Sequence, residues 1–189
     1  MTAPLRTLEL RMDRIQELTN IGAGHAAAAL SRLVRRTIWM DVPRLNYRSP
    51  DLVPEAARAA VGGTAICFGL HGGVGGTMAV VFSRSSLEVL VTEMMGADAY
   101  GLDKAVESAV REAGNMLVSH FVSALADFLG TVVMPSVPLL TEPPELPAWL
   151  ATLDDEPGGV VVECPLFDRQ REVVGFLLFV PSRALLEGC

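Results

Sequence analysis

The sequence has little cysteine, little charge and no long basic run. Three cysteines stand at 67, 164 and 189 without C-x-x-C spacing. An odd, scattered set of this kind reads as free thiols in a reducing cytosol. With three histidines besides, no His/Cys cluster offers a zinc site. Charged residues are 20% of the chain, 15 basic against 22 acidic, for a net charge of −7, and no basic run exceeds Arg35-Arg36. That balance argues against an electrostatically driven nucleic-acid binder. No charged-then-apolar N-terminal segment resembles a signal peptide, so a cytoplasmic location is expected. A Ser-His-Asp spacing, a Walker loop and a dinucleotide fingerprint are all missing, and the Gly72–Gly76 run does not match G-x-x-x-x-G-K-[ST].

What is present is apolar: 50% of 189 residues. That content excludes a solvated coil, and the length suits one domain or two small fused halves. The uncharged stretch Ala59–Ser83 is long enough to span a bilayer. However, seven glycines fall between Gly62 and Gly76, each weakening a helix interior by about 1 kcal/mol. Two buried strands, Thr64–Leu70 and Thr77–Phe82, joined by a glycine-rich turn, are expected instead, and no membrane span.

The chain repeats itself. At an offset of 95, Asp13–Pro43 lies on Ser108–Pro138 without a gap, and seven of the 31 positions are identical. They are Glu17/Glu112, Asn20/Asn115, His25/His120, Ala29/Ala124, Leu30/Leu125, Val42/Val137 and Pro43/Pro138. The segment from Gly76 resembles the one from Gly175, and Ser83-Arg84 resembles Ser182-Arg183. Each half therefore reads as a long helix, a strand ending in Val-Pro, a variable connection, a hairpin and a short helix. The second connection, Thr141–Gly159, holds four prolines and reads as an irregular surface segment.

At about 100° per residue, Ile15, Leu18, Gly22, Ala26, Ala29 and Leu33 share one helix face, and Asp13, Glu17, Asn20 and Gly24 share the opposite one. The second copy places Val110, Ala113, Leu117, Phe121, Ala124 and Phe128 inward and Ser108, Glu112, Asn115 and Ser119 outward. On its own, E-x-x-N on a helix is an ordinary solvated face. Asparagine, though, is a poor helix former, and it recurs mid-helix three residues after glutamate in both halves. Small neighbours, Gly22, Ala23, Gly24 and Ala27, let a partner's backbone come close. The combination favours a docking face with a reaching carboxamide.

The pattern D-x-x-x-E-x-x-N, followed at a distance by proline, is similar to the signature of the CheC/CheX/FliY family of chemotaxis phosphatases. Here it reads Asp13, Glu17, Asn20 and Pro43, then Ser108, Glu112, Asn115 and Pro138, with 26 residues from Glu to Pro in both. Two motifs in one short chain resemble the CheC-type members. The resemblance implies hydrolysis of the aspartyl phosphate of the response regulator CheY. It implies that Asn20 and Asn115 orient the attacking water and that Glu17 and Glu112 pair with a lysine of the regulator. It also implies that the regulator supplies the Mg²⁺, with no cofactor held by this chain. Asp13, Gly24, Ser108 and Ser119 are expected to be docking positions of lesser weight.

His25 and His120 occupy equivalent positions, and packing at the edge of the helix face is the plain account of them. In the family the position of His25 is more often Asn. A non-catalytic adaptor for the deamidase CheD, a flagellar-switch-like module of the same fold, and a phosphatase for a regulator outside chemotaxis are the competing functions. The expected fold is α+β with pseudo-twofold symmetry: a largely antiparallel central sheet, with both motif helices on one side. The expected unit is one domain of two fused repeats, about 8–100 and 103–189.

Overall fold

The computed structural model describes residues 3–47, 55–59, 62–96, 104–141, 145 and 159–188. The two motif segments are its longest helices, α1 (Ala3–Leu33) and α4 (Lys104–Leu129). Their apolar stripes drive them onto the sheet: Ile15, Leu18, Ala26, Ala29, Val110, Ala113, Leu117, Phe121 and Ala124 are all buried. Gly22 lets the helices meet, because a Cβ there would lie 2.6 Å from Leu125 Cδ1. Both helices end alike. Arg35 and Gly130 take left-handed φ values of 50° and 63°. The next N–H, of Arg36 and Thr131, closes back on the carbonyls of Ser31 and Ala126.

After α1 come two short strands, β1 (Trp39–Met40) and β2 (Arg44–Tyr47), and a one-turn helix α2 (Glu55–Ala59). A hairpin, β3 (Thr64–Gly72) and β4 (Gly76–Phe82), leads to α3 (Arg84–Met95). The second half runs β5 (Val133–Pro135), β6 (Leu139–Thr141), hairpin β7 (Val160–Phe167) and β8 (Val173–Pro181), and α5 (Arg183–Gly188). The uncharged, glycine-rich stretch thus forms β3 and β4, and no helix among the described residues is long and apolar enough to cross a membrane. Ser83 and Ser182, matched in sequence, each accept a backbone N–H at the start of the following helix, from Ser86 at 3.3 Å and Leu185 at 3.2 Å.

The strands form one eight-stranded sheet in the order β1-β7-β8-β4-β3-β5, with β2 also on β7 and β6 also on β3. Every pairing among the described residues is antiparallel. The halves exchange their edges: β1 and β2 of the first pair with β7 of the second, and β5 and β6 of the second pair with β3 of the first. The registers correspond. Arg44, Leu45 and Asn46 oppose Glu163, Val162 and Val161, while Leu139, Leu140 and Thr141 oppose Cys67, Ile66 and Ala65. A pseudo-twofold axis passes through the central Ala79–Leu178 pair of β4 and β8.

One sheet face, with Ile66, Phe68, Met78, Val80, Val162 and Phe179, carries α1 and α4. Phe121 of α4 packs its ring 5.6 Å from that of Phe179. The other face buries Ala65, Cys67, Ala79, Val81, Val161, Phe176 and Leu178 with Ala56 of α2.

Two features depart from the sequence reading, and a third reading is not tested. Strand pairing resumes after each Val-Pro, in β2 and β6, so that Val-Pro forms a bend between strands and does not end one. Phe128, expected inward, is 50% exposed, because it sits in the last turn of α4, past the fully buried Leu125. The proline-rich connection 142–158 lies, apart from residue 145, outside the described residues.

Candidate functional site

The polar stripe of α1 faces away from the core. Asp13, Glu17 and Asn20 are exposed and Gly24 is half-buried. On α4, Ser108, Glu112 and Ser119 are exposed, and Asn115 is half-buried. Neither asparagine lies in the core. The side chains of Glu17, Asn20, Glu112 and Asn115 form no hydrogen bond or ion pair with any described residue. An amide and a carboxylate one helical turn apart are thus free to meet a partner, once in each half.

A bend of the chain flanks each stripe. In the first half the Gln16 side-chain amide donates to the Pro43 carbonyl at 2.8 Å. Met40 lies beside Gly24, with its sulfur 3.8 Å from where a Cβ would stand. In the second half the Arg111 guanidinium donates to the Pro138 carbonyl. It also binds Glu107, through Nε at 3.0 Å and Nη2 at 2.7 Å. Each bend exposes a valine, Val42 at 64% and Val137 at 86%. Because α1 borders β1–β2 and α4 borders β5–β6, the two stripes lie toward opposite ends of the sheet.

The candidate residues fall into two separate sets. Asp13, Glu17, Asn20 and Gly24 stand together, as do Ser108, Glu112, Asn115 and Ser119, and the fold does not join the sets. His25 is exposed rather than packed, and His120 is half-buried. Gln16 and Arg111 were not singled out from sequence. They differ between the copies, and their only signal was position, immediately before the motif glutamate.

Chemically the stripes offer position, not a nucleophile. Cys67 and Cys164 are buried, and burial pushes both thiols up to about 12, far from the reactive thiolate. Among the described residues no group of three His, Cys, Asp or Glu side chains could hold a metal ion.

The CheC-like family matches residues 10–47 and 106–141, the stretches that carry both motif helices and both bends. Over 190 aligned residues the chain is 35% identical to the Bacillus subtilis protein named CheY-P phosphatase CheC, covering 92% of this chain and 89% of that one. The chain belongs to the CheC-like family. The CheC-like fold recurs in Thermotoga maritima FliY, with a TM-score of 0.66 at 21% identity over 99% of this chain and 94% of that. It recurs in a Borrelia burgdorferi structure of CheX in complex with CheY, BeF3 and Mg²⁺, with a TM-score of 0.59 at 15% identity over 86% of this chain and 97% of that. The CheC-like match covers both halves, so both stripes belong to family-matched segments.

Proposed function

We propose that this CheC-like chain hydrolyses the aspartyl phosphate of a CheY-type response regulator, with one site in each half, about 8–100 and 103–189, of a single domain. Asn20 and Asn115 orient the attacking water, and Glu17 and Glu112 hold the docked regulator. Asp13 and Gly24 in one site, and Ser108 and Ser119 in the other, border the contact. The observation that carries this reading is the pair of solvent-facing Glu/Asn stripes with uncommitted side chains, in a relative of a protein named CheY-P phosphatase.

A carboxamide is neither base nor nucleophile at neutral pH, but it both donates and accepts hydrogen bonds. It can hold a water in line with the phosphorus and the aspartyl oxygen. The water oxygen bonds to phosphorus, the P–O bond to the aspartyl carboxylate breaks, and inorganic phosphate leaves. Positioning and charge stabilisation supply most of the catalysis in such transfers. The regulator brings the Mg²⁺ that neutralises the phosphoryl oxygens. This chain contributes geometry.

The test is decay of a phosphorylated CheY-type regulator with the wild type, Asn20→Ala, Asn115→Ala and the double variant. Misplacing an attacking group by about 1 Å costs on the order of 100-fold. The double variant should lose at least that much. Asn20→Ala should cost more than Asn115→Ala, because Asn20 is the more exposed. A double variant as active as wild type would sink the mechanism. An inactive wild type would favour a binding role, with CheD as the first partner to try.

A further inference from the structure

Gln16 and Arg111 hold the same place in the two halves and do the same thing by different chemistry. Each donates to the carbonyl of the repeat proline, Pro43 or Pro138, across 27 residues of chain. A neutral amide and a guanidinium share little beyond an N–H at the end of a long stem. What is common to the halves is therefore the tether, not the residue. Not every side-chain bond of one half recurs in the other. The Ser31 hydroxyl donates to the Ala27 carbonyl and accepts the Ile38 N–H, yet Ala126 stands at the matching place in the second half.

The tether sits where it controls the motif. Along α1, Gln16, Asn20 and Gly24 succeed one another at one turn each. The chain returns beside them, with Pro43 tied to Gln16 and Met40 against Gly24. The bend therefore spans the turn that carries Asn20. A helix held by its buried stripe alone can roll slightly about its axis. A second bond on its flank removes that freedom.

We infer that Gln16 and Arg111 are positioning residues: each ties its motif helix to the bend and fixes the angle at which Asn20 or Asn115 presents its carboxamide. The inference rests on the phosphatase reading of the two helices. Charge is not needed for the role, since Gln16 fulfils it without any. The two halves also supply each other's conservative replacement.

Site one is measured alone in an Asn115→Ala background, and site two in an Asn20→Ala background. Gln16→Leu removes the donor and keeps the bulk, whereas Gln16→Arg installs the donor used by the other half. Gln16→Leu should lower kcat by about 10-fold or more while KM for the phosphorylated regulator stays within about twofold, as expected of lost orientation rather than lost binding. Gln16→Arg should return kcat to near the parent value. Arg111→Leu and Arg111→Gln should repeat the pattern at site two, with Tm followed throughout. A Gln16→Leu variant with parental kcat, or a Gln16→Arg variant as slow as Gln16→Leu, overturns the inference while leaving the phosphatase reading intact. A wild type that never hastens phosphate loss overturns both.

Discussion

At position 24 the motif stripe carries no side chain, and nothing in the fold requires that. A Cβ on Gly24 would meet only the Met40 sulfur, at 3.8 Å, an ordinary contact. Its φ is not left-handed. Gly22 is the contrast, where a Cβ would fall 2.6 Å from Leu125 and 2.7 Å from Phe121, both fully buried. Packing accounts for Gly22. Gly24 instead lies half-buried on the Asn20 stripe, where, on the proposed function, bare backbone would let a docked protein approach. Alanine is favoured over glycine in a helix interior by about 1 kcal/mol. Gly24→Ala should therefore raise stability in urea denaturation by up to about that amount. At site one it should raise KM for the phosphorylated regulator, modestly, because Ser119 holds this place in the second half. A variant that is more stable and binds the regulator as well as before would remove Gly24 from the contact.

Among the elements, β7 and α2 are joined by an unusual group. Glu163 lies on β7 at 3% exposure and accepts the backbone N–H of Ala56 at 2.6 Å and of Glu55 at 3.3 Å. Burial pushes its carboxyl above the ordinary 4.5, and the two N–H bonds pull the other way without cancelling it. Between 4.5 and the raised value, the folded protein keeps a proton that the unfolded chain has lost. The stability tied to that proton is fully present below 4.5 and declines as pH rises through the folded pKa. Glu163→Gln cannot ionise and keeps an acceptor oxygen. Its stability relative to wild type should therefore grow as pH rises from 4.5 toward 7, read by denaturation at a series of pH values. A relative stability that falls with pH would mean that the N–H bonds to the charged carboxylate outweigh its burial. None of this was legible in sequence. The long helices were, because a stripe recurring over several turns has little alternative. The hairpins were too, as apolar runs broken by glycine. Strands as short as β2 and β6, and a five-residue α2, carry too few residues for any period to show, and β2 and β6 find their partners in the other half. The Glu/Asn stripes could be read outward from spacing alone. Which asparagine is more covered depends on how each helix lies on the sheet and on its neighbours, and spacing does not encode that.

For the whole molecule, the exchange of edges decides how the halves depend on each other. Among the described residues β1 and β2 pair only with β7, and β5 and β6 only with β3, so each half leaves these short strands without those partners when alone. The helix-side core draws on both halves as well: Leu18 and Leu30 of α1 share one cluster with Leu117 and Phe121 of α4. The junction of β4 with β8 runs seven residue pairs, from Gly76–Pro181 to Phe82–Gly175, and would become an open edge. A fragment of residues 1–100 therefore lacks a cover for α1 and a neighbour for β4. Because a pseudo-twofold axis relates the halves through Ala79 and Leu178, the replacement nearest in shape is a second copy of the fragment itself. Any cooperative melting of residues 1–100 should then depend on concentration, as it does when folding is coupled to association. Adding residues 103–189 should raise that Tm, since the native partner restores every strand pairing. Circular-dichroism melts over a range of fragment concentrations, with and without the second fragment, would decide it. A cooperative, concentration-independent melt of the first fragment would show that each half folds unaided, and that the two sites are joined by linkage alone rather than by a shared core.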